Sequence, residues 1–228
     1  MHPLDNPIWT ALTTRQAHLR SEPSLASDAR RAARFDPEIS VLGGFAEPDF
    51  AALASLTAIG ERVGLFGDDL RVPASFEVIT DVPLVQMVFA RDGVAPEAEP
   101  DIVALDARDV PAMMALAEVT RPGPFNRRTP ELGDFAGIRE GGALVAMAGQ
   151  RLRVPGHIEI SAVCTDPAHV GRGYGAALTR WQMRRILAAG ERPFLHVRGD
   201  NRRAIELYER LGFALRFTSR YVVVQRSA

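Results

Sequence analysis

Glycines at alternate positions, Gly171, Gly173 and Gly175, stand between an apolar run and an amphipathic segment that begins at about Gly171. A helix start offers unpaired backbone N–H groups and the positive end of a dipole, so glycines there let pyrophosphate oxygens approach those donors. The segment therefore predicts a cradle for a diphosphate. A Rossmann fingerprint needs Gly-x-Gly-x-x-Gly and a P-loop needs Lys followed by Ser or Thr, and neither is present. An ordinary glycine turn ahead of a helix is the structural alternative.

One carboxylate interrupts the apolar run that precedes these glycines. The run extends from His157 to Thr165 and contains Glu159 near its start. Strand alternation places Glu159 opposite an apolar, core-facing set that consists of Ile158, Ile160, Ala162 and Cys164. A glutamate there is expensive to bury unless it is paired or lies at a solvated cleft, and an exposed carboxylate at a strand end is the alternative. Cys164 is interpreted as a small buried residue rather than a nucleophile.

A further helix is predicted after the next short apolar strand. Asp200 or Asn201 can cap its start, and Gly212 suits its end. Apolar side chains recur at helical spacing at Ala204, Leu207, Tyr208 and Leu211. This spacing makes Tyr208 a core aromatic whose hydroxyl lies at the rim. His196, in the preceding strand, is interpreted as a structural histidine with satisfied hydrogen bonds.

The elements that position these residues can be predicted along the whole chain. In the first half, the patterns predict helices over Pro7 to Arg20 and Asp49 to Thr57, and strands over Arg62 to Phe66, Phe76 to Thr80 and Leu84 to Phe89. In the second half, they predict strands over Ile102 to Leu105, Phe135 to Arg139, Ala143 to Arg151, His157 to Thr165 and Phe194 to Val197, and two strands within Phe213 to Val224. Helices are predicted over Val110 to Thr120, Gly171 to Ala189 and Arg202 to Leu211.

A boundary between two domains is predicted within residues 92–101. This stretch holds two prolines, one glycine and four acidic residues, and no apolar residue larger than Val94. We therefore expect a smaller mixed α/β domain over residues 1–96 and a catalytic domain over residues 97–228.

Composition limits the classes of partner. The chain has 228 residues, 46% of them hydrophobic, and a formal net charge of -1, which gives no electrostatic reason to expect nucleic acid or an anionic membrane. The single cysteine, Cys164, lacks companions for a disulfide or a metal site. All 27 basic residues are arginine, a bias that indicates a GC-rich bacterial genome. No targeting or membrane-spanning segment is evident, so we expect a globular cytoplasmic protein without a metal.

Together, the strand, the glycine loop and the final helix resemble the GNAT acyltransferase superfamily, in particular its FR47-like and glycine N-acyltransferase-like branch. The resemblance covers about residues 101–228. The family's phosphate loop reads Gln or Arg, two residues, Gly, one residue, then Gly or Ala, and Val170 departs from it at the first position. The family's closing motif matches Asn201, Tyr208 and Gly212-Phe213 residue for residue. The resemblance implies an α/β fold with a mixed, mostly antiparallel central sheet flanked by helices, and a first domain that is a degenerate half of the same kind.

The resemblance also implies a reaction. An acyl group passes directly from acetyl-CoA to an amine in a V-shaped opening between the Glu159 strand and the Phe194 strand. Glu159 corresponds to the family's general base, and Tyr208 to the acid that protonates the departing thiolate. Backbone along the Val163 strand end contacts the pantetheine arm and polarises the thioester carbonyl. The implied coenzyme-binding set is Val163, Cys164, Thr165, Val170, Gly171, Arg172, Gly173, Tyr174, Gly175, Ala176 and Asn201.

The acceptor is indicated by the loop after the helix that ends near Thr120. In this family that loop shapes the acceptor pocket, and here it carries Arg121, Phe125, Arg127 and Arg128. Arginine forks suit carboxylates, so a small amine such as an amino acid is the favoured acceptor. A protein N-terminal acetyltransferase and a non-catalytic acyl-CoA sensor are the alternatives, and either a monomer or a homodimer is compatible with the sequence.

Overall fold

The computed structural model describes residues 2–21, 31–97 and 100–227. Its main feature is an eight-stranded sheet in the order β3-β10-β4-β9-β8-β7-β6-β5, and a two-stranded antiparallel sheet pairs β1 with β2. Each strand pair of the large sheet is antiparallel except β8 with β9, which is parallel. The strands are β1 Ala32–Arg34, β2 Gly43–Phe45, β3 Arg62–Phe66, β4 Phe76–Phe89, β5 Val103–Leu105, β6 Phe135–Glu140, β7 Ala143–Val154, β8 His157–Thr165, β9 Arg192–Arg198 and β10 Phe213–Arg226. The expected mixed, mostly antiparallel sheet is confirmed.

Five α-helices flank the sheet in the described residues, namely α1 Pro7–Thr13, α2 Phe50–Ser55, α3 Val110–Thr120, α4 Tyr174–Ala188 and α5 Arg202–Arg210. Local signals set several of their ends. The side chain of Asn201 accepts a hydrogen bond from the Ala204 amide and caps α5, as its sequence position predicts. The helix predicted over Pro7 to Arg20 ends at Thr13, and a 3₁₀ turn over Ala17–Leu19 follows it. No helix among the described residues is long and apolar enough to cross a membrane.

The helices pack on opposite faces of the sheet. Met183 and Ile186 of α4 join Tyr208 of α5 in a core cluster with Ile158 and Ile160 of β8. On the other face, residues of α1 pack with a set that includes Leu152, Val154 and Phe194, and α3 packs against Phe135, Met147 and Cys164. The functional strands β8 and β9 therefore lie between two helical layers.

The sheet crosses the boundary expected between residues 96 and 97. Strand β4, from the first half of the chain, pairs with β10 on one side and with β9 on the other. Strand β3 forms the outer edge of the same sheet. The polar linker composition indicated a division, but the apolar residues of β4 are buried by pairing with strands of the second half. Residues 98 and 99 of that linker lie outside the described residues.

Two strands are longer than the sequence patterns indicate. Phe76 to Thr80 and Leu84 to Phe89 belong to the single strand β4, and the two strands expected near the end of the chain form the single strand β10. Pro83 lies between the two predicted strands. It is tolerated because β9 begins to pair with β4 only at Leu84, so the preceding residues have a neighbour on one side alone.

Candidate active site

Strands β8 and β9 separate part-way along their length. Their parallel pairing runs from His157 opposite Arg192 to Ile160 opposite Leu195 and ends there. Two residues later Ala162 has a φ of 52°, at a register shift in the pairing of β8 with β7. Such a bulge bends the strand and redirects its side chains. The two strands thus enclose a V-shaped opening at the place that the family resemblance implied.

The bulge changes which side chains share a face of β8. The expected alternation placed Ala162 and Cys164 with Ile158 and Ile160. Instead, Val163 packs in the cluster of Ile158 and Ile160, whereas Ala162 and Cys164 pack against α3 on the opposite face. That prediction was wrong because one inserted residue reverses the alternation beyond it.

A cavity of about 500 Å³ occupies the opening. Its walls include the end of β8, the end of β9, the loop after α3, and residues from the first half of the chain. Seven of the residues predicted for the site line it, namely Arg121, Phe125, Val163, Cys164, Thr165, Asn201 and Tyr208. The cavity is also lined by four residues that were not among the predicted site residues, namely Phe66, Arg151, His196 and Tyr221.

The predicted phosphate loop lies at the start of α4. Gly171 and Gly173 have φ values of 92° and 80°, which side chains rarely adopt, and Gly173 precedes the first helical residue without a side-chain cap. A Cβ on Gly175 lies 3.7 Å from a methyl of Val163, so the first turn of α4 adjoins the cavity wall. Free N–H groups at a bare helix start suit an anionic group. These residues therefore fit the diphosphate of a coenzyme A thioester.

The side chains beside this loop are already paired. Both carboxylate oxygens of Glu140 lie 2.9 Å from Nη1 of Arg172, and the Tyr174 hydroxyl donates to the same carboxylate. The Tyr174 hydrogen bond and then Arg172 lower the pKa of Glu140, so the carboxylate stays charged. Glu140 thus engages Nη1 of Arg172 and competes with a phosphate for this guanidinium. The half-exposed Val170 offers no polar group.

Tyr208 and Cys164 have different chemistry at the cavity wall. Burial raises the pKa of Tyr208 to about 12, so its phenol is protonated at neutral pH and is able to donate. Burial also raises the pKa of Cys164 to about 11, so its thiol is not a ready nucleophile. This agrees with the structural role that the sequence indicated for Cys164.

Glu159 is buried and fully paired. Its side chain is 0% exposed and lies behind the cavity residues Arg151 and His196. Arg151 donates to both oxygens at 2.8 and 2.6 Å, and His196 Nδ1 lies 2.6 Å from Oε1. Burial by itself raises the pKa of Glu159, but Arg151 and then His196 outweigh it and hold the pKa at about 2. A carboxylate of this pKa with both oxygens occupied is a poor proton acceptor, so the expected direct role as general base does not fit its surroundings.

The hydrogen-bond network identifies the tautomer of His196. Gln86 accepts from Arg216 through Oε1 and donates from Nε2 to the Leu4 carbonyl, which fixes its amide orientation. The Gln86 Nε2 also lies 3.1 Å from His196 Nε2, which must then accept. His196 Nδ1 therefore carries the proton and donates to Glu159. Burial lowers the pKa of His196, in keeping with a neutral ring.

Arg151 was not singled out by the sequence, although a signal existed. Strands β7 and β8 form a hairpin in which Val154 pairs with His157 and Arg153 with Ile158. Counting outward from that turn brings Leu152 opposite Glu159, and a register shift between Arg153 and Gln150 places Arg151 beside it as well. An arginine and a glutamate in facing, largely apolar strands indicate a buried ion pair.

The arginines of the loop after α3 have different positions. Arg121 lines the cavity. It follows the last residue of α3 and has the left-handed conformation, with a φ of 47°. Arg128 instead pairs with Asp36 at 2.6 Å and with Glu131 at 2.7 Å, and neither Arg127 nor Arg128 is among the lining residues. Phe125 lines the cavity and packs edge-on against Phe135.

Comparisons with known proteins agree with this architecture. Residues 135–222 match the family model of the FR47-like proteins. A crystal structure of a GNAT-family protein from Novosphingobium aromaticivorans superposes with a TM-score of 0.92 at 37% identity, and all of both chains is covered. The N-alpha-acetyltransferase RimI of Mycobacterium tuberculosis is 38% identical over 96 residues, or 40% of this chain and 60% of that protein. A mycothiol acetyltransferase of Mycobacteroides abscessus is 41% identical over 70 residues, or 30% of this chain and 24% of that protein.

These two named acetyltransferases are thus matched over less than two thirds of their length, whereas the Novosphingobium protein is matched throughout. The family model covers the V-shaped opening between β8 and β9, which we call the fork. It also covers the bulge at Ala162 and the glycine loop before α4. The chain belongs to the GNAT family of acyl-CoA-dependent N-acetyltransferases.

Proposed function

We propose that the protein transfers an acetyl group from acetyl-CoA to the primary amine of a small metabolite, with an amino acid as the favoured acceptor. One observation carries the proposal. The cavity between β8 and β9 adjoins a bare helix start suited to a diphosphate at one side and contains a protonated tyrosine, Tyr208, in its wall. In acetyl-CoA the pantetheine arm has the diphosphate at one end and the thioester sulfur at the other, and both therefore find a suitable partner.

The coenzyme binds through backbone more than through side chains. The diphosphate contacts the N–H groups from Gly171 to Ala176, and Arg172 beside them adds a positive charge. The pantetheine arm runs along Val163, Cys164 and Thr165, whose edge towards β9 has no strand partner in the described residues. Asn201 contacts the coenzyme from the start of α5.

The transfer is direct. The amine nitrogen attacks the thioester carbon, a C–N bond forms, and the carbonyl oxygen takes negative charge that a backbone amide beside Ala162 stabilises. The C–S bond then breaks, and Tyr208 gives its proton to the thiolate and regains one from water in the cavity. The ammonium proton leaves through water in the cavity, since Glu159 is paired and its pKa is about 2. Glu159 serves the site by holding Arg151 and His196 in position.

A protein N-terminal acetyltransferase is a second candidate, favoured by the similarity to RimI over 96 residues. A non-catalytic acyl-CoA sensor is the third. We propose a bacterial cytoplasm as the compartment, where acetyl-CoA is available, and either a monomer or a homodimer.

These functions can be distinguished by measuring thiol release from acetyl-CoA with amino acids, polyamines and peptides as separate acceptors. The proposal predicts release that depends on an amino acid. Release with peptides alone would indicate the N-terminal acetyltransferase. Binding of acetyl-CoA without release with any amine would indicate the sensor.

A further inference from the structure

The charge of the cavity wall is one-sided. Three arginines, Arg121, Arg151 and Arg198, line the cavity, and no aspartate or glutamate does among the described residues. Arg198 is paired with Asp200 at 2.6 Å and Arg151 with the buried Glu159, but Arg151 stands between Glu159 and the cavity and turns its cation towards a ligand. Such a wall disfavours acceptors with several amino groups and favours an acceptor that carries an anion.

Arg151 is held in place with one donor to spare. Its Nε and Nη2 donate to Glu159, while Nη1 has no partner in the described part of the chain. Its guanidinium lies over the ring of Phe66, 5.9 Å from the centroid, and its side chain is 23% exposed. The buried ion pair and the ring fix the orientation of the guanidinium, so Nη1 is a pre-oriented donor at the cavity wall.

Tyr221 of β10 supplies a second donor at the same wall. Its hydroxyl is buried and has no hydrogen-bond partner among the residues that the structure describes, although Tyr221 lines the cavity. A Cβ on Gly64 of the adjacent strand would approach the hydroxyl to 2.8 Å, so the glycine leaves room for the ring. An orphaned buried hydroxyl is costly, and a ligand atom that accepts its hydrogen bond removes the cost.

These two donors lie towards the closed end of the fork. Arg151 and His196 stand beside Ile160, where the β8–β9 pairing ends, and Phe66 stacks 4.6 Å from the His196 ring. Strand β8 runs from there to Thr165 and on towards the phosphate loop. The thioester therefore enters from the Thr165 side, and the region of Arg151 is left for the acceptor.

We propose that Arg151 and Tyr221 form a subsite for the carboxylate of the acceptor, so that the substrates are amines bearing a carboxylate near the amino group. The inference rests on the proposed acetyl transfer and narrows its substrate class. The charge of Glu159 is offset by Arg151, which stands between it and the cavity, and its oxygens accept from Arg151, His196 and the Leu152 amide. Towards the cavity, the proposed subsite presents the hydrogen-bond donors of Arg151 and Tyr221.

Matched acids and amides test this subsite. The twenty L-amino acids and their primary carboxamides are assayed as acceptors of acetyl-CoA, each amide having the amine and side chain of its acid. The amides also resemble a peptide N-terminus. We expect the best acid to exceed its own amide by at least about 100-fold in kcat/KM, because the amide leaves Arg151 without its anion. Equal use of the two, preference for the amide, or turnover only of amines without a carboxylate would overturn the proposal.

Two variants assign the preference to these residues. Tyr221→Phe removes one donor and keeps the ring, so KM for the acid should rise about 10-fold while kcat and the affinity for acetyl-CoA stay unchanged. Arg151→Met combined with Glu159→Gln removes both buried charges together and leaves neither unpaired. It should abolish the preference for acid over amide. A preference that survives in both variants, each with a cooperative melting transition, would contradict the assignment.

A binding measurement separates this inference from the proposed function. Calorimetry with acetyl-CoA tests whether the coenzyme binds at all. Calorimetry with N-acetyl amino acids and their amides tests the subsite without turnover, and the acids alone should bind with measurable affinity. If acetyl-CoA fails to bind but the acids still bind, the proposed function fails and the anion subsite stands. If acetyl-CoA binds and acids and amides bind alike, the subsite fails and acetyl transfer stands.

Discussion

Arg151 donates two hydrogen bonds to the carboxylate of Glu159, from Nε to Oε2 at 2.8 Å and from Nη2 to Oε1 at 2.6 Å. The pair joins β7 to β8 just before the fork opens, and His196 of β9 donates to the same carboxylate. One buried charge thus connects three neighbouring strands at the closed end of the cavity. This arrangement supports the proposal that Glu159 positions Arg151 and His196.

Glu159→Gln should therefore act first on stability. The substitution leaves Arg151 without its counter-charge, and we expect a loss of about 3 kcal/mol, the low end for a broken buried pair because Arg151 is partly exposed. Urea unfolding measures this loss. The catalytic rate of the Glu159→Gln variant should not return towards the wild-type rate as pH rises. A variant with unchanged stability whose rate returns at high pH would restore Glu159 to the role of general base.

Acid should weaken the protein through the same carboxylate. The pKa of Glu159 is about 2 in the folded protein and 4.5 ordinarily, so its contribution is complete above about pH 4.5 and is lost as pH falls towards 2. The free energy of unfolding should decline across this window in the wild type. The decline should be shallower in the Arg151→Met, Glu159→Gln double variant, which serves as the control for all other carboxylates. Parallel curves for the two proteins would argue against a depressed pKa.

Gly173→Val should impair coenzyme binding. Gly173 has a φ of 80°, and a β-branched residue there must shift the loop that precedes α4. We expect the affinity for acetyl-CoA to fall about 10-fold or more in calorimetry. Gly60→Val is the matched control, since Gly60 has a φ of 83° and equally open surroundings but lies just before β3. Equal affinities in the two variants would mean that the diphosphate binds elsewhere.

Tyr208→Phe should separate catalysis from packing. The change deletes a hydroxyl and keeps the ring, which packs against Phe213 with centroids 6.0 Å apart. Loss of a general acid typically lowers the rate by about 100-fold or more, so kcat should fall by that factor while acetyl-CoA affinity and melting temperature stay close to wild type. Turnover within about threefold of wild type together with a lower melting temperature would make Tyr208 a packing residue.

The sequence was sufficient for the fold and for much of the cavity wall. Gly173, Asn201 and Tyr208 act locally, as a left-handed turn residue, a helix cap and a helix-face aromatic, and such roles depend on neighbours within a few residues. Short-range patterns specify these three roles. The opening between β8 and β9 was implied by the family resemblance instead, and its geometry depends on the pairing of the strands.

The environment of Glu159 depends on contacts that short-range patterns do not specify. Arg151 lies beside Glu159 because of the register of the β7–β8 hairpin. Tyr221 and Phe66 belong to β10 and β3, which lie beyond β9 and β4 in the order of the sheet. The bulge at Ala162 adds one residue to β8 and reverses its faces. The charge state of Glu159, and with it the proton route, follows from these long-range pairings.

The most direct test of the account is a crystal structure of the protein with acetyl-CoA. We expect the pyrophosphate at the N–H groups that begin α4, the pantetheine arm along Val163 to Thr165 between β8 and β9, and the thioester sulfur within hydrogen-bond reach of the Tyr208 hydroxyl. A coenzyme bound outside the fork, or a sulfur far from Tyr208, would contradict the account.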